Sequence, residues 1–313
     1  MMTLRYHIVS LAAVLLALAV GVVLGSTNAS QGLVSMVAGD RGELTNQVQQ
    51  LTAANGELRA GQRSADSFAA SVAPTVVKGQ LSGKTVALVV AGGADPAARD
   101  SVRQLLGAAG ATVTTEVGLT DAVTDPARAD QLRDLTTRLL PSGAQLPTAT
   151  DAGGLVGGLL GNVLMANPKG NQPRAAQSQA AAALAGLSSA GFLAPGAKPG
   201  PAQLAVVLAG APGTGPDAAE RAATMARLAT ELDRAGGGAV LAGGTGSAGS
   251  SGAVGVVRAD TSSASNLSTV DDVQRPIGQV ATVLAAREQA DGRSGRYGDA
   301  PSAQGPVPGG SVG

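Results

Sequence analysis

The sequence predicts an α/β protein in three parts: an N-terminal transmembrane helix, a coiled-coil stalk, and then a mostly parallel α/β domain open to division into two similar halves. Three observations predict it. An uncharged apolar run fills residues 8–25, and a spacing of threes and fours marks the segment after it. From residue 83 onward, short continuous apolar runs alternate with helical patterns, as βαβ units require. The corresponding boundaries are 1–26 for the anchor, 33–72 for a coiled-coil or amphipathic helix, and 80–290 for the α/β domain. A Gly-, Pro- and Ser-rich tail from 291 to 313 reads as disordered.

Within "HIVSLAAVLLALAVGVVLGS", only Ser10, Gly21 and Gly25 interrupt the apolar residues from Ile8 to Gly25. At about 1.5 Å per residue the run is ~27 Å long, close to the ~30 Å hydrocarbon core of a bilayer. A secretory h-region is shorter, ~7–15 residues, and "STNAS" after the run is a poor cleavage site. An anchor that is retained is therefore favoured over a cleaved signal. Arg5 precedes the run and the next basic residue is Arg41, so the charge bias places the N-terminus in the cytoplasm. The chain is then single-pass in the cell membrane or envelope, with its bulk extracytoplasmic. Ala13, Ala17, Gly21 and Gly25 recur every four residues, a small-residue stripe along which helix backbones approach in lipid. Chance in an Ala- and Gly-rich chain is the competing explanation.

Val37, Leu44, Val48, Leu51, Asn55 and Leu58 follow as a seam. After one full heptad the steps alternate between four and three, the spacing of a coiled coil, and a buried Asn55 would fix register in a parallel homo-oligomer. Such a stalk would lift the domain ~50 Å from the membrane. The alternative is one amphipathic helix lying on the domain, and Gly42, Gly56 and Gly61 weaken helix propensity.

"GKTVALVVAGG" (83–93) reads as a strand buried on both faces. Asp95 is a plausible cap and Pro96 a first-turn residue for a helix over 97–109, with Gly110 as its stop and a second strand over 111–119. "DPARADQLRDLTTRLL" (125–140) repeats the Asp-Pro start. A glycine-interrupted apolar segment (153–165) and an alanine-rich helix (175–190) come next. Strands are then expected at 203–210, 238–244 and 253–260, with helices at 217–235 and 277–289.

Composition excludes whole classes of function. Basic and acidic residues balance at 22 each, and only two Phe, two Tyr and no Trp are present. The chain has neither a basic field nor a stacking platform for nucleic acid. With no cysteine and a single histidine, His7, thiolate chemistry and Ser-His-Asp triads are absent from the α/β domain, so no enzyme is expected. Met36, Met165 and Met225 are scattered, which gives copper(I) no thioether cluster. His7 sits at the cytoplasmic mouth of the anchor and reads first as an interfacial histidine with no role beyond topology; the alternative is a ring of such side chains that would meet a passing cation in an oligomer. Asp271 and Asp272 read as a polar turn leading into a helix and not as a metal cage. Two glycine-rich turns, 209–217 around Gly213 and 242–252 around Gly246, follow strands but lack the dinucleotide and P-loop patterns.

"LRYHIVSLAAVLLALAVGVVLGS", "GKTVALVVAGGAD", "LLGAAGATVTTEVGLTD", "VLAGG" and "STVDDVQRPIGQVATVLAAREQADGRSGRYG" occur together and in that order. Over most of its length, from Leu4 to about Tyr297, the chain thereby resembles the actinobacterial copper transporter family of MctB. The resemblance implies a membrane-anchored envelope protein of copper efflux and homeostasis, channel-forming as an oligomer. Copper would be the transported ion and no cofactor is implied. It brings no catalytic motif and assigns no metal ligand. Because one apolar helix cannot line a polar pore, conduction would need several chains. The membrane, further copies of the chain and an envelope protein are the expected partners. The alternative is a non-transporting envelope scaffold or binding protein whose exterior α/β domain makes the contacts.

Overall fold

The computed structural model describes residues 4–26, 29–148 and 151–309, with the side chains of 4, 5, 24, 26 and 29–42 excepted. The chain divides into two units, residues 1–65 and 66–313. The first unit is helical. Helix α1 spans Leu4–Ser26, and α2 begins at Ala29 and runs to Val77 in the second unit. Residues 6–23 of α1 are exposed on every side and apolar enough to cross a membrane. Residues 43–65 of α2 are likewise exposed. Its final turns differ: Ala73 and Val77 are buried in the core of the second unit.

The second unit holds a six-stranded, all-parallel sheet of order β2-β1-β3-β4-β5-β6. Strand β1 (Thr85–Val90) is followed by α3 (Pro96–Ala108) and β2 (Thr112–Gly118). Asp95 caps α3 by accepting from the Ala97 N–H, with Pro96 at the first turn. Asp125 repeats the device on the short 3-10 turn Pro126–Arg128, which leads into α4 (Ala129–Arg138). Helices α5 (Ala152–Leu164) and α6 (Gln177–Ser189) complete the long crossover to β3 (Leu204–Leu208). Helix α7 (Ala218–Ala235), β4 (Ala239–Ala242), α8 (Ala253–Ala259), α9 (Thr261–Ala264), β5 (Ser268–Val270), α10 (Pro276–Ala290) and β6 (Arg296–Tyr297) follow.

Alternate residues of β1 explain its continuous apolar run. Val86 and Leu88 pack with α3, α10 and the end of α2, while Ala87 and Val89 pack with α4 to α8 on the other face. The glycines of α5 have a similar cause. A Cβ built on Gly157 would lie 2.8 Å from the Leu228 backbone, and one on Gly161 would lie 2.6 Å from Ala235 Cβ. Gly153 meets the Thr224 backbone in the same way. These three positions form one stripe along which α5 packs closely on α7, against its backbone at Gly153 and Gly157 and against the Ala235 methyl at Gly161.

Two sequence expectations are corrected. Residues 253–260 are not a strand but α8, which buries Val254 and Val257, one helical turn apart. Seven residues are too few for periodicity to separate the alternatives. Where composition predicts a disordered tail from residue 291, the structure places β6 beside β5 and buries Tyr297, whose hydroxyl donates to Glu288.

Candidate functional site

In an open parallel sheet, ligands enter beyond the carboxyl ends of the strands, at the point where the strand order reverses. Here that point lies between β1 and β3, because β1 continues into α3 on one face and β3 into α7 on the other. A crevice of ≈ 180 Å³ opens there. It is lined by Gly92 after β1, Thr120 and Asp121 after β2, the turn from Ala209 to Gly213 after β3, and Arg221 of α7. The two turns lie so close that a Cβ on Gly210 would stand 2.5 Å from the Gly92 carbonyl oxygen. Only glycine allows that approach. Arg221 faces Asp125 at 3.6 Å, so this cation on the wall is already partly paired.

A larger cleft of ≈ 570 Å³ lies beyond β4, β5 and β6. The turn Thr245–Gly249, Asp271 and Asp272 after β5, and residues 299–302 after β6 line it. Arg258 of α8 donates through Nη1 to Asp271 Oδ2 at 2.6 Å, and both side chains are almost wholly buried. Arg258 also donates to Thr269 Oγ1, Ser302 Oγ and the Tyr297 carbonyl. Asp271 Oδ1 accepts from the backbone N–H groups of Asp299 and Ala300, at 2.8 and 3.2 Å. One buried ion pair thus ties α8, β5 and the segment after β6 together. Burial pulls the Arg258 guanidinium down from its ordinary range, against the opposing effect of Asp271.

Asp272 has a different environment. It is 3% exposed, and neither carboxylate oxygen has a hydrogen-bond partner among the described residues. Burial first, then the charges of Asp299 and Asp271, push its carboxyl up to about 7, with Arg275 opposing. Arg275 in turn pairs with Asp66 and Asp299.

The cleft is acidic, so the turn around Gly246 faces carboxylates and presents no phosphate cradle; the turn around Gly213 lines the smaller crevice. Asp271 and Asp272 do lead toward α10, as a polar turn should, but they are buried. Among the described residues no set of three His, Cys, Asp or Glu side chains converges on a point where a metal would sit. Met165 and Met225 are buried in the core, and the Met36 side chain lies outside the described residues. Of the stripe, Ala13, Ala17, Gly21 and Gly25 are all exposed on α1. Of the seam, Leu44, Val48, Leu51, Asn55 and Leu58 are exposed on α2, while the Val37 side chain lies outside the described residues. Sequence spacing misses the ion pair Arg258–Asp271 because it assigns Arg258 to a strand. Asp299 escaped because it fell in the supposed tail.

The class is that of a doubly wound parallel α/β domain whose chain also carries an N-terminal apolar helix of membrane-crossing length. Within it the chain belongs to the MctB family, described as "Copper transport outer membrane protein, MctB", whose family model matches residues 1–308. It is similar to the copper transporter MctB of Mycobacterium tuberculosis (strain ATCC 25618 / H37Rv), 37% identical over 303 residues, covering 95% of this chain and 96% of the relative. The Mycobacterium bovis copper transporter MctB matches to the same extent. That of Mycobacterium leprae is 34% identical over 311 residues, again covering 95% and 96%.

Proposed function

We propose that this chain takes part in copper transport and copper homeostasis at the cell envelope, as an oligomer anchored by α1 with its α/β domain outside the cytoplasm. Membership of the copper transport family along residues 1–308 carries the reading. The apolar α1 supports the anchor, and Arg5 before it supports a cytoplasmic N-terminus.

Copper is cargo in this reading. The soft donors Met165 and Met225 are largely buried and lie on different elements, so passage relies on weak, exchangeable oxygen donors and not on a high-affinity thioether site. Conduction through the membrane layer requires several copies of α1, because one helix encloses no water-filled path.

The decisive experiment measures cellular copper in a deletion strain. Copper should rise and copper tolerance fall, and the full chain should restore both. A version lacking residues 1–26 should not. Unchanged copper content and tolerance in the deletion strain would overturn the reading.

A further inference from the structure

Among the described residues outside α1, the exposed large apolar side chains all belong to α2. Leu44, Leu51 and Leu58 are 61%, 68% and 74% exposed, and Val48 is 55% exposed. They fall on one heptad frame in which Leu44, Leu51 and Leu58 occupy successive d positions, with Val48, Asn55 and Gln62 at the a positions between them. The interior glycines lie elsewhere in that frame: Gly56 is at b and Gly61 at g, off the seam.

Two physical facts call for a covering partner. A helix is held mainly by packing of its apolar face, and glycines cost about 1 kcal/mol each in its interior. Residues 43–65 are helical, contain two glycines and are exposed on all sides in the single chain. Leu44, Leu51 and Leu58, in line on that stretch, are left in water.

The seam also specifies its occupant. Leucine at d with a β-branched residue at a favours two strands, and a lone Asn at a holds two parallel strands in register. The flanking e and g positions from Thr45 to Gly61 are Thr45, Gln47, Thr52, Ala54, Arg59 and Gly61. With one cation among them, no like-charge pair opposes a g–e′ contact between identical chains in parallel register. The frame stops where α2 enters the second unit, whose core takes Ala73 and Val77 from a different face of the helix.

We infer that residues 44–62 of α2 form a parallel, in-register, two-stranded coiled coil with a second copy of this chain. The assignment is independent of copper. A seam of about three heptads is marginal in free solution, but chains held in one membrane by α1 meet at high effective concentration. Two copies of α1 enclose no water-filled path, so the dimer is a building block and a conducting assembly contains more than one.

The chain has no cysteine, which makes the test direct. Single-cysteine variants of the full chain are oxidised mildly in native membranes. Leu44→Cys, Leu51→Cys and Leu58→Cys should each lose the monomer band to a homodimer, because d positions face their own copies in parallel register. Ala53→Cys, at f on the outer side, should remain monomeric. Antiparallel strands would cross-link at Leu51→Cys at most and spare the two ends. Equal cross-linking at Ala53→Cys, no cross-linking at Leu51→Cys, or a cross-linked product containing a different protein would each overturn the inference. Sedimentation of the solubilised chain should give two copies or a multiple of two. Three copies in the unmutated chain would overturn the strand number. Cellular copper does not enter any of these readouts, so the two proposals fail separately.

Discussion

Arg275 meets Asp66 across 209 residues of chain, with Nε and Nη2 donating to one carboxylate oxygen at 3.1 and 3.0 Å. Its Nη1 donates to Asp299 at 2.5 Å. A single guanidinium at the start of α10 therefore holds α2 and the segment after β6 together. Arg275 and Asp66 are about a quarter exposed and Asp299 more than half, so solvent screens part of the attraction. Arg275→Ala should lower stability by about 1 kcal/mol, read as a fall in the unfolding midpoint. It should also push the Asp272 carboxyl further up, because Arg275 is the charge that opposes its rise. Arg275→Lys keeps the charge and should restore the Asp272 titration while recovering less of the stability.

Arg258 and Asp271 are the larger risk. Both are nearly free of solvent, and removing one partner strands a buried charge. Arg258→Ala should cost ~3–5 kcal/mol, several times the Arg275 effect, and should loosen residues 296–302 first. Hydrogen exchange resolved along the chain checks this. Protection in that segment equal to the unmutated protein would refute it.

Asp272 should make stability fall with rising pH. Its folded carboxyl titrates at about 7, above the ~4 of an unfolded aspartate, so the folded state binds the extra proton between those values. Stability is fullest below about pH 4 on this account and declines until the group ionises near 7. Asp233 adds to the same trend, because burial first raises it to about 6 against the Ala239 N–H and Arg234. Asp272→Asn should flatten the fall of the midpoint between pH 5 and 8, leaving the Asp233 share. An unchanged slope in the variant would show that Asp272 ionises freely.

Gly157 lies where α5 and α7 touch. Adding one methyl group there drives it to 2.8 Å from the Leu228 backbone, which cannot swing aside as a side chain tip does. Gly157→Ala should cost ~1–3 kcal/mol by overpacking. Gly107→Ala, where an added Cβ meets nothing within 4 Å, should be neutral or slightly stabilising. Thermal unfolding of the two variants side by side tests the contrast.

Gly21 and Gly25 offer a separate surface. A Cβ on either meets nothing within 4 Å in the single chain, so Gly21→Leu with Gly25→Leu leaves the helix itself unstrained. If copies of α1 pack along this stripe, the double variant should lose species larger than two chains while keeping the Leu51→Cys dimer. Retention of the larger species would assign the stripe to composition alone.

Much of the architecture was legible because its signals are local. Asp95 and Pro96 announce α3, and the apolar run of β1 announces a strand covered on both sides. The strands that escaped are short: β5 has three residues and β6 has two, too few for a two-residue alternation to repeat. The acidic cleft escaped with them. Asp271, Asp272 and Asp299 are brought together only because β5 and β6 pair, and nothing within 28 residues of sequence predicts that pairing.

By itself the sequence determined the apolar α1, the heptad seam from Leu44 to Leu58 and the α/β alternation, because each depends on side-chain spacing along one element. Tertiary structure decided that residues 253–259 coil and do not extend, that Arg258 is buried against Asp271, and that the Asp272 carboxylate has no hydrogen-bond partner among the described residues. These are consequences of which surfaces meet, and the free energy of a buried charge depends on neighbours that lie far away in the chain.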